Sequence, residues 1–119
     1  MSGPAFIENV LYPTFDTSYI IPFQDEVGDS YSSVVQYLHF KIRSQINDDI
    51  PCLYQAQKLK FEYNPELKEA LKNTSGEISF PFLQDQYHLS IYSKVLELLR
   101  ATFKGDENQF RDISTELGI

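Results

Sequence analysis

The chain has little cysteine and no long apolar run. Cys52 is the only cysteine, which allows neither an internal disulfide nor a cysteine-based zinc site. No apolar stretch reaches the roughly 18 residues of a membrane span, and the start, MSGPAFIENV, lacks the features of a secretion signal. We therefore expect an intracellular protein, cytoplasmic or nuclear, with Cys52 as a small buried apolar residue rather than a nucleophile.

Clustered positive charge is also missing. The 119 residues include ten Lys and Arg against 17 Asp and Glu, a formal net charge of −7, and the basic side chains are scattered. Binding to a nucleic-acid backbone needs a concentrated basic surface that displaces counterions. We expect no direct nucleic-acid binding, and the acidity indicates a solvated surface or, as the alternative, a preference for a basic partner.

Motifs for metal, phosphate and acid–base chemistry are absent from the sequence. The five glycines are isolated, so no phosphate-binding glycine loop is predicted. His39 and His88 are far apart and neither has a second ligand at helical or hairpin spacing, which predicts no metal site. No two carboxylates stand out as a catalytic pair. We expect no cofactor.

Aromatic and apolar residues are plentiful. Hydrophobic residues make up 42% of the chain, with nine Phe and eight Tyr, which is enough for one core in a chain of this length. The fold class that we predict is α+β and predominantly helical, with short N-terminal strands and about five helices. Residues 1–119 are expected to form a single domain, with residues 1–14 as a loosely attached segment.

Short strands are predicted in two parts of the chain. Residues 6–23 mix β-branched and aromatic side chains and show no helical period, and residues 18–21 are interpreted as a strand followed by a turn at residues 25–30. Residues 77–83 alternate apolar and other side chains, which predicts a second strand, at a sheet edge because it contains Pro81.

Apolar periodicity and capping residues predict the helices. Apolar side chains recur every fourth residue from Val34 to Ile46, which predicts a helix capped by Ser32 or Ser33 and ended by residues 47–49. Prolines that follow capping residues predict two more helix starts, at Pro51 and Pro65.

The C-terminal part is predicted to hold a long helix and a final short one. The long helix covers about residues 86–104 and ends at Gly105. Asp106 and Gln109 resemble a capping box for the last helix. The buried stripe of that helix is predicted to consist of Phe110, Ile113 and Leu117.

Two blocks of sequence resemble a known family. Residues 15–23, FDTSYIIPF, and residues 31–38, YSSVVQYL, resemble the opening of the NADAR or YbiA-like family, which reads F-x-S-N-F-x-x-x-P-F, a glycine turn, and Y-x-S-V-E-Q-Y at a helix start. Residues 92–103, YSKVLELLRATF, look like that family's late helix. The resemblance spans about Phe15 to Leu117 and implies a compact, mainly helical α+β fold.

The resemblance also implies an activity, together with a reason to doubt it in this chain. The family cleaves an N-glycosidic bond in ADP-ribose-related or riboflavin-pathway substrates, and a carboxylate stabilises the cationic sugar of such a reaction. The family's glutamate falls on Val35, its asparagine on Ser18, and two of its lysines on Ile42 and Thr102. The chain also lacks the family's tryptophan. Losing several charged groups together leaves little catalytic rate.

These departures favour a non-catalytic relative. The leading hypothesis is a protein-interaction or assembly module that binds a protein partner or forms a homo-oligomer through exposed aromatic side chains. The alternative is a residual site for an ADP-ribose-like nucleotide, or an N-glycosidase that uses a displaced acid such as Asp25 or Glu26.

A candidate pocket follows from the same resemblance. Its predicted lining consists of Phe15, Ser18, Tyr31, Val35, Gln36 and Tyr37. For Tyr31, Gln36 and Tyr37, the alternative is that they fill and cap the core.

Overall fold

The computed structural model describes residues 2–42 and 49–119. This part of the chain contains five helices and two short strand pairs. The strands are β1 (Ala5–Ile7), β2 (Val10–Tyr12), β3 (Phe23–Gln24) and β4 (Ser30–Tyr31), with a 3-10 turn at Pro13–Phe15. The helices are α1 (Val34–Ile42), α2 (Ile50–Tyr63), α3 (Pro65–Lys72), α4 (Gln86–Lys104) and α5 (Glu107–Leu117). The predicted α+β, predominantly helical fold with about five helices is confirmed.

An antiparallel hairpin of β1 and β2 begins the fold. Glu8 and Asn9 connect the strands with φ angles of 52° and 66°, the left-handed backbone that a two-residue hairpin turn requires. Ala5 and Ile7 are fully buried. This hairpin lies within residues 1–14, the segment predicted to be loosely attached. Its buried side chains are part of the core.

The strand predicted at residues 18–21 is wrong. Asp16 holds this part of the backbone in a turn. Its Oδ1 accepts hydrogen bonds from both the N and the Oγ of Ser18, each at 2.9 Å. The N–H of Tyr19 donates to the carbonyl oxygen of Asp16 at 3.1 Å. A short polar side chain that bonds to the following backbone stabilises a turn in competition with a strand.

The turn predicted at residues 25–30 is confirmed, and it joins β3 to β4. The N–H of Gly28 donates to the carbonyl oxygen of Asp25 at 3.1 Å, and that of Asp25 to the carbonyl oxygen of Asp29 at 3.0 Å. Gly28 has φ of 90°, which a side chain would strain. The two flanking strands are only two residues long.

The strand predicted at residues 77–83 is reduced to a single bridge. Ser79 and Phe6 exchange two backbone hydrogen bonds, of 2.8 and 3.1 Å. The pairing ends at Pro81, which has no N–H to donate, and Leu83 then closes a turn onto Phe80.

Helix starts lie where the capping residues predicted them. Ser33 Oγ accepts from the N–H of Gln36 at 3.1 Å, and Asp49 Oδ1 accepts from the N–H of Cys52 at 3.0 Å. Each bond satisfies a donor that the helix itself leaves free. The predicted end of the first helix, from Ile46 to residue 48, lies outside the described residues.

The C-terminal helices also follow the prediction, with one exception. The bounds of α4 are as predicted, and Gly105 caps it in the left-handed conformation. Asp106 Oδ1 accepts from the N–H of Gln109 at 3.1 Å, as the capping box predicts. Ile113 is buried, but Phe110 is 38% exposed, so the predicted stripe of α5 is wrong at that residue.

The core surrounds α4. Its buried face includes Val95, Leu96, Leu98 and Leu99, none of which is exposed. Helix α4 packs against α2, α3 and α5, and α1 packs against α2. The predicted pocket residues on α1, which are Val35, Gln36 and Tyr37, therefore lie on a helix that packs against α2.

Candidate functional site

Two of the predicted pocket residues, Tyr31 and Tyr37, belong to an aromatic cluster in the core. Their rings meet edge to face with centroids 4.9 Å apart, and Phe23 lies 5.7 Å from Tyr31. Tyr31 is 5% exposed and Tyr37 is 6% exposed. Burial raises the pKa of Tyr37 to about 12, so its hydroxyl is neutral at physiological pH. Most of both rings therefore fills the core.

A cavity of about 300 Å³ adjoins the outer edge of this cluster. Its lining consists of Asp29, Ser30, Tyr31, Gln36 and Phe40. Tyr31 and Gln36 are thus the two predicted pocket residues that share a cavity. The amide oxygen of Gln36 accepts hydrogen bonds from the N and Oγ of Ser32. The Phe40 ring, 65% exposed, offers an apolar wall that a flat ligand can contact.

The other predicted pocket residues lie elsewhere. Phe15 is fully buried and stacks on Tyr12, with ring centroids 4.7 Å apart. Ser18 is held in the turn by Asp16, as described above. Val35 is half-buried, and its N–H donates to the carbonyl oxygen of Thr17 at 3.0 Å.

The side chain of Val35 does not line the 300 Å³ cavity. Successive residues of a helix are rotated by about 100°, so Val35 leaves α1 on a different side from its neighbour Gln36, which lines the cavity. The loop that meets α1 at Val35 is the one that carries Ser18. The six predicted residues therefore do not form a single pocket.

Asp25, the first of the two candidate displaced acids, holds the turn between β3 and β4. Its Oδ1 accepts from the N–H of Asp29 at 2.9 Å and of Val27 at 3.1 Å, and its Oδ2 accepts from the hydroxyl of Tyr31 at 3.1 Å. Burial raises the pKa of Asp25, but these hydrogen bonds outweigh it, and the net shift is downward. Both carboxylate oxygens of Asp25 are therefore bonded within the turn and to Tyr31.

Glu26, the second displaced acid, lies on the surface. Its Oε1 accepts a hydrogen bond of 2.9 Å from the amide nitrogen of Gln55 on α2. It is exposed and does not line the cavity beside Tyr31. Neither acid therefore takes the position that the resemblance assigns to the glutamate.

Thr102 and Ile42 are the positions matched to two of the family's lysines. Thr102 Oγ1 lies 2.8 Å from the hydroxyl of Tyr54 and donates to the carbonyl oxygen of Leu98 at 3.0 Å. Thr102 therefore joins α4 to α2. The side chain of Ile42 lies outside the described part of the chain.

Two buried polar side chains on α2 were not predicted from the sequence. Gln57 and Lys60 are both fully buried. Lys60 Nζ donates to the carbonyl oxygen of Asp16 at 3.0 Å, and burial lowers its pKa to about 7. The amide nitrogen and oxygen of Gln57 have no hydrogen-bond partner within the described residues. The spacing of three residues was a signal, since it places both side chains on one helix face.

The histidines and the cysteine do not form a reactive site. His39 is exposed, and His88 Nδ1 lies 2.8 Å from the carboxylate of Asp85. Burial, with the nearby Asp49 carboxylate, raises the pKa of the Cys52 thiol, which disfavours the nucleophilic thiolate. Within residues 2–42 and 49–119, no three His, Cys, Asp or Glu side chains are grouped as metal ligands would be.

None of the helices that the structure describes combines the length and apolar character needed to cross a bilayer. Comparisons of the chain with protein-family models, with curated proteins and with solved structures found no match. The NADAR resemblance and its implied activity therefore stay predictions.

Proposed function

We propose that this chain is a non-catalytic, protein-binding domain built on a NADAR-like scaffold. The observation that carries the proposal is the surroundings of Val35: an aliphatic side chain, tied by its backbone to Thr17, stands where the resemblance requires a carboxylate. Valine can neither stabilise a cationic sugar nor activate water. Asp25 and Glu26 support the proposal because both are engaged elsewhere.

The binding surface that we assign is the outer hairpin face, defined as Phe6 and Leu11. The two residues are direct cross-strand partners in β1 and β2. They are 37% and 43% exposed, whereas Ala5 and Ile7, on the opposite side of β1, are fully buried. Adjacent exposed apolar side chains on a sheet are typical of protein-binding surfaces.

The open edge of β2 adds backbone hydrogen bonding to this surface. Both the N–H and the C=O of Phe6 bond to Ser79, so Phe6 directs its backbone groups away from β2. In an antiparallel pair, a residue and its direct partner both point these groups outward or both inward. Leu11 therefore presents its N–H and C=O to the open edge, where an incoming strand can pair.

The charge of the protein indicates what kind of strand would pair with the open edge of β2. Glu8 Oε1 accepts a hydrogen bond from the N–H of Ser75 at 2.8 Å, which brings the exposed Glu77 near the tip of the hairpin. With a net charge of −7, the protein attracts basic partners and repels a second copy of itself. The occupant that we propose is a basic, extended segment of a partner protein.

A synthetic peptide of alternating lysine and valine tests this proposal by fluorescence anisotropy. We expect it to bind, and we expect Leu11→Glu to weaken binding by roughly tenfold, the effect of about 1.4 kcal/mol. Ile20→Glu is the matched control, because Ile20 is an exposed apolar residue outside the hairpin. The same peptide with N-methylated backbone nitrogens should not bind. Equal binding of both peptides, or equal loss in both variants, contradicts the proposal.

The absence of catalysis has its own test. We expect no release of free base when the protein is incubated with NAD or ADP-ribose and the products are separated by chromatography. Release of base that Val35→Ala leaves unchanged and Asp25→Asn removes would instead support an N-glycosidase with a displaced acid.

A second function rests on the cavity that contains Tyr31 and Gln36. Its volume of about 300 Å³ falls at the lower end of the range for small-molecule sites, and the exposed Phe40 ring offers a stacking surface for a base. Under this alternative, ADP-ribose raises the melting temperature, and Phe40→Ala removes the increase while Phe82→Ala, at another exposed phenylalanine, retains it. No increase in the wild type eliminates it.

A further inference from the structure

An exposed carboxylate lines the cavity beside Tyr31. Asp29 is the charged residue of the lining, and its side chain is exposed. In the part of the chain that the structure describes, no lysine, arginine or histidine forms an ion pair with it. The carboxylate of Asp29 is therefore available to a cation from another molecule.

The charges next to this cavity do not balance. Asp25, Asp29 and Lys41 all act electrostatically on Tyr31, so two carboxylates stand against one ammonium group. Lys41 Nζ lies 3.9 Å from Asp25 Oδ2, and Lys41 does not line the cavity. A cation that enters the cavity is therefore attracted by Asp29, whereas the phosphates of ADP-ribose are repelled.

Phe40 adds a flat apolar surface to the same cavity. Its ring is 65% exposed, although it contacts Tyr31 edge to face with ring centroids 6.1 Å apart. Tyr31 is buried and its hydroxyl donates to Asp25 Oδ2 at 3.1 Å, so the exposed ring rests on a fixed neighbour. Lys41 Nζ lies 6.0 Å from the Phe40 ring centroid, at the outer limit of a cation–π contact. The Phe40 ring can therefore accept a closer cation.

A guanidinium group matches both the carboxylate and the ring. It is planar and always charged, it stacks on aromatic faces, and two of its N–H groups can pair with one carboxylate. A small free guanidinium compound would bury little surface against an exposed ring, so a larger molecule must carry the group. We propose that the cavity beside Tyr31 binds an arginine side chain of a partner protein, stacked on Phe40 and paired with Asp29. This site presupposes the protein-binding role proposed for the chain, but it does not require the outer hairpin face.

A blocked glycine–serine peptide with one central arginine tests the site by NMR, which detects the weak binding of a single side chain. The peptide is titrated into isotope-labelled protein, and the backbone amide shifts of Asp29, Ser30 and Phe40 are followed. A citrulline peptide has a neutral group of nearly the same shape and should bind about fivefold more weakly. A lysine peptide keeps the charge but lacks the planar fork, and it should also bind more weakly.

Three results of this titration would overturn the proposal. They are no binding of the arginine peptide, equal binding of the citrulline peptide, and binding of the lysine peptide as tight as that of the arginine peptide. The first two exclude a cation site at Asp29, and the third excludes the assignment to arginine.

Variants separate the carboxylate from the ring. Asp29→Asn should remove the preference for arginine over citrulline. Phe40→Leu should weaken both peptides and keep the preference, because both have a planar end that stacks. Loss of folding does not produce these two different patterns. Asp112→Asn, which removes an exposed carboxylate from α5, is the matched control and should change neither property. A preference unchanged in Asp29→Asn contradicts the pairing.

The arginine site and the outer hairpin face can fail separately. The lysine–valine peptide that tests the hairpin face contains no arginine. Leu11→Glu should leave binding of the arginine peptide unchanged, and Asp29→Asn should leave binding of the lysine–valine peptide unchanged. An equal loss of arginine-peptide binding in Leu11→Glu and Asp29→Asn would contradict a separate site.

Discussion

The Nζ atom of Lys60 lies 3.0 Å from the backbone carbonyl oxygen of Asp16 and donates a hydrogen bond to it. This bond connects α2 to the turn before β3, across 44 residues of sequence. The Lys60 side chain itself is fully buried. The burial of Lys60, which lowers its pKa, makes the stability of the fold dependent on pH.

Lys60→Met tests this dependence. Burial lowers the pKa of Lys60 from 10.5 to about 7, so above pH 7 the unfolded chain binds this proton more strongly than the folded one. The free energy of unfolding should therefore rise with pH from about 7, by an amount on the order of a few kcal/mol if the whole interval were traversed. Lys60→Met should remove most of this rise and raise stability below pH 7.

Urea unfolding from pH 6 to pH 9 is the appropriate measurement, because this range stays below the region where buried tyrosines oppose the trend. The pKa of Tyr37 is raised to about 12 in the folded protein. This shift lowers the free energy of unfolding only where the tyrosine of the unfolded chain ionises, near pH 10. Lys58→Met, on the same helix but at a partly exposed position, is the control and should keep the rise. A rise unchanged in Lys60→Met would contradict the prediction.

Gln57→Leu should stabilise the protein or leave its stability unchanged. Both polar atoms of the Gln57 amide are buried without a partner in the described structure, and an unsatisfied buried group costs roughly 1–3 kcal/mol. Leucine removes that cost at similar size. Gln57→Glu should instead destabilise strongly, because a carboxylate is more expensive to bury. Chemical unfolding at pH 7 distinguishes the two outcomes, and a large loss in Gln57→Leu would indicate that the amide has a partner such as an internal water.

Asp25→Asn should weaken the turn between β3 and β4 and reduce the acid sensitivity of the protein. Because the net pKa of Asp25 is lowered in the folded state, its contribution is present above its unfolded pKa and is lost as pH falls through its folded pKa. Asparagine should therefore lower the melting temperature at pH 7 but have less effect near pH 2. Asp29→Asn provides the comparison, since Asp29 contributes its backbone N–H to the same turn. Equal effects at both pH values would refute the prediction.

Asp106→Ala should cost about 1 kcal/mol of stability, the usual value for removing an N-cap side chain. Asp106 Oδ1 accepts from the N–H of Gln109 at the start of α5, and alanine leaves that donor without a protein partner. Asp112→Ala removes the same charge from an exposed position in the same helix and should be nearly neutral. Differential scanning calorimetry of the two variants gives the comparison, and identical melting temperatures would show that the cap contributes nothing.

Local interactions explain which parts of the fold could be predicted. Ser33, Asp49 and Asp106 each bond to a backbone N–H three residues later, so the sequence carries both partners within one helical turn. The failure at residues 18–21 is also local: the β-branched residues predict a strand, but Ser18 and Tyr19 bond to Asp16, which stabilises a turn.

The candidate sites were harder to predict, because their members come from distant parts of the chain. The resemblance placed Phe15, Val35 and Tyr31 in one pocket, whereas the structure buries Phe15 and separates Val35 from the cavity beside Tyr31.

Periodicity, capping and composition predict the helices, most of their ends and the acidic charge of the protein, because they act over a few residues or over the whole chain at once. The tertiary structure is needed to show that Ser79 pairs with Phe6 across 73 residues and that the buried Lys60 donates to Asp16. These relations depend on distances between segments far apart in sequence, which no local pattern of residues specifies.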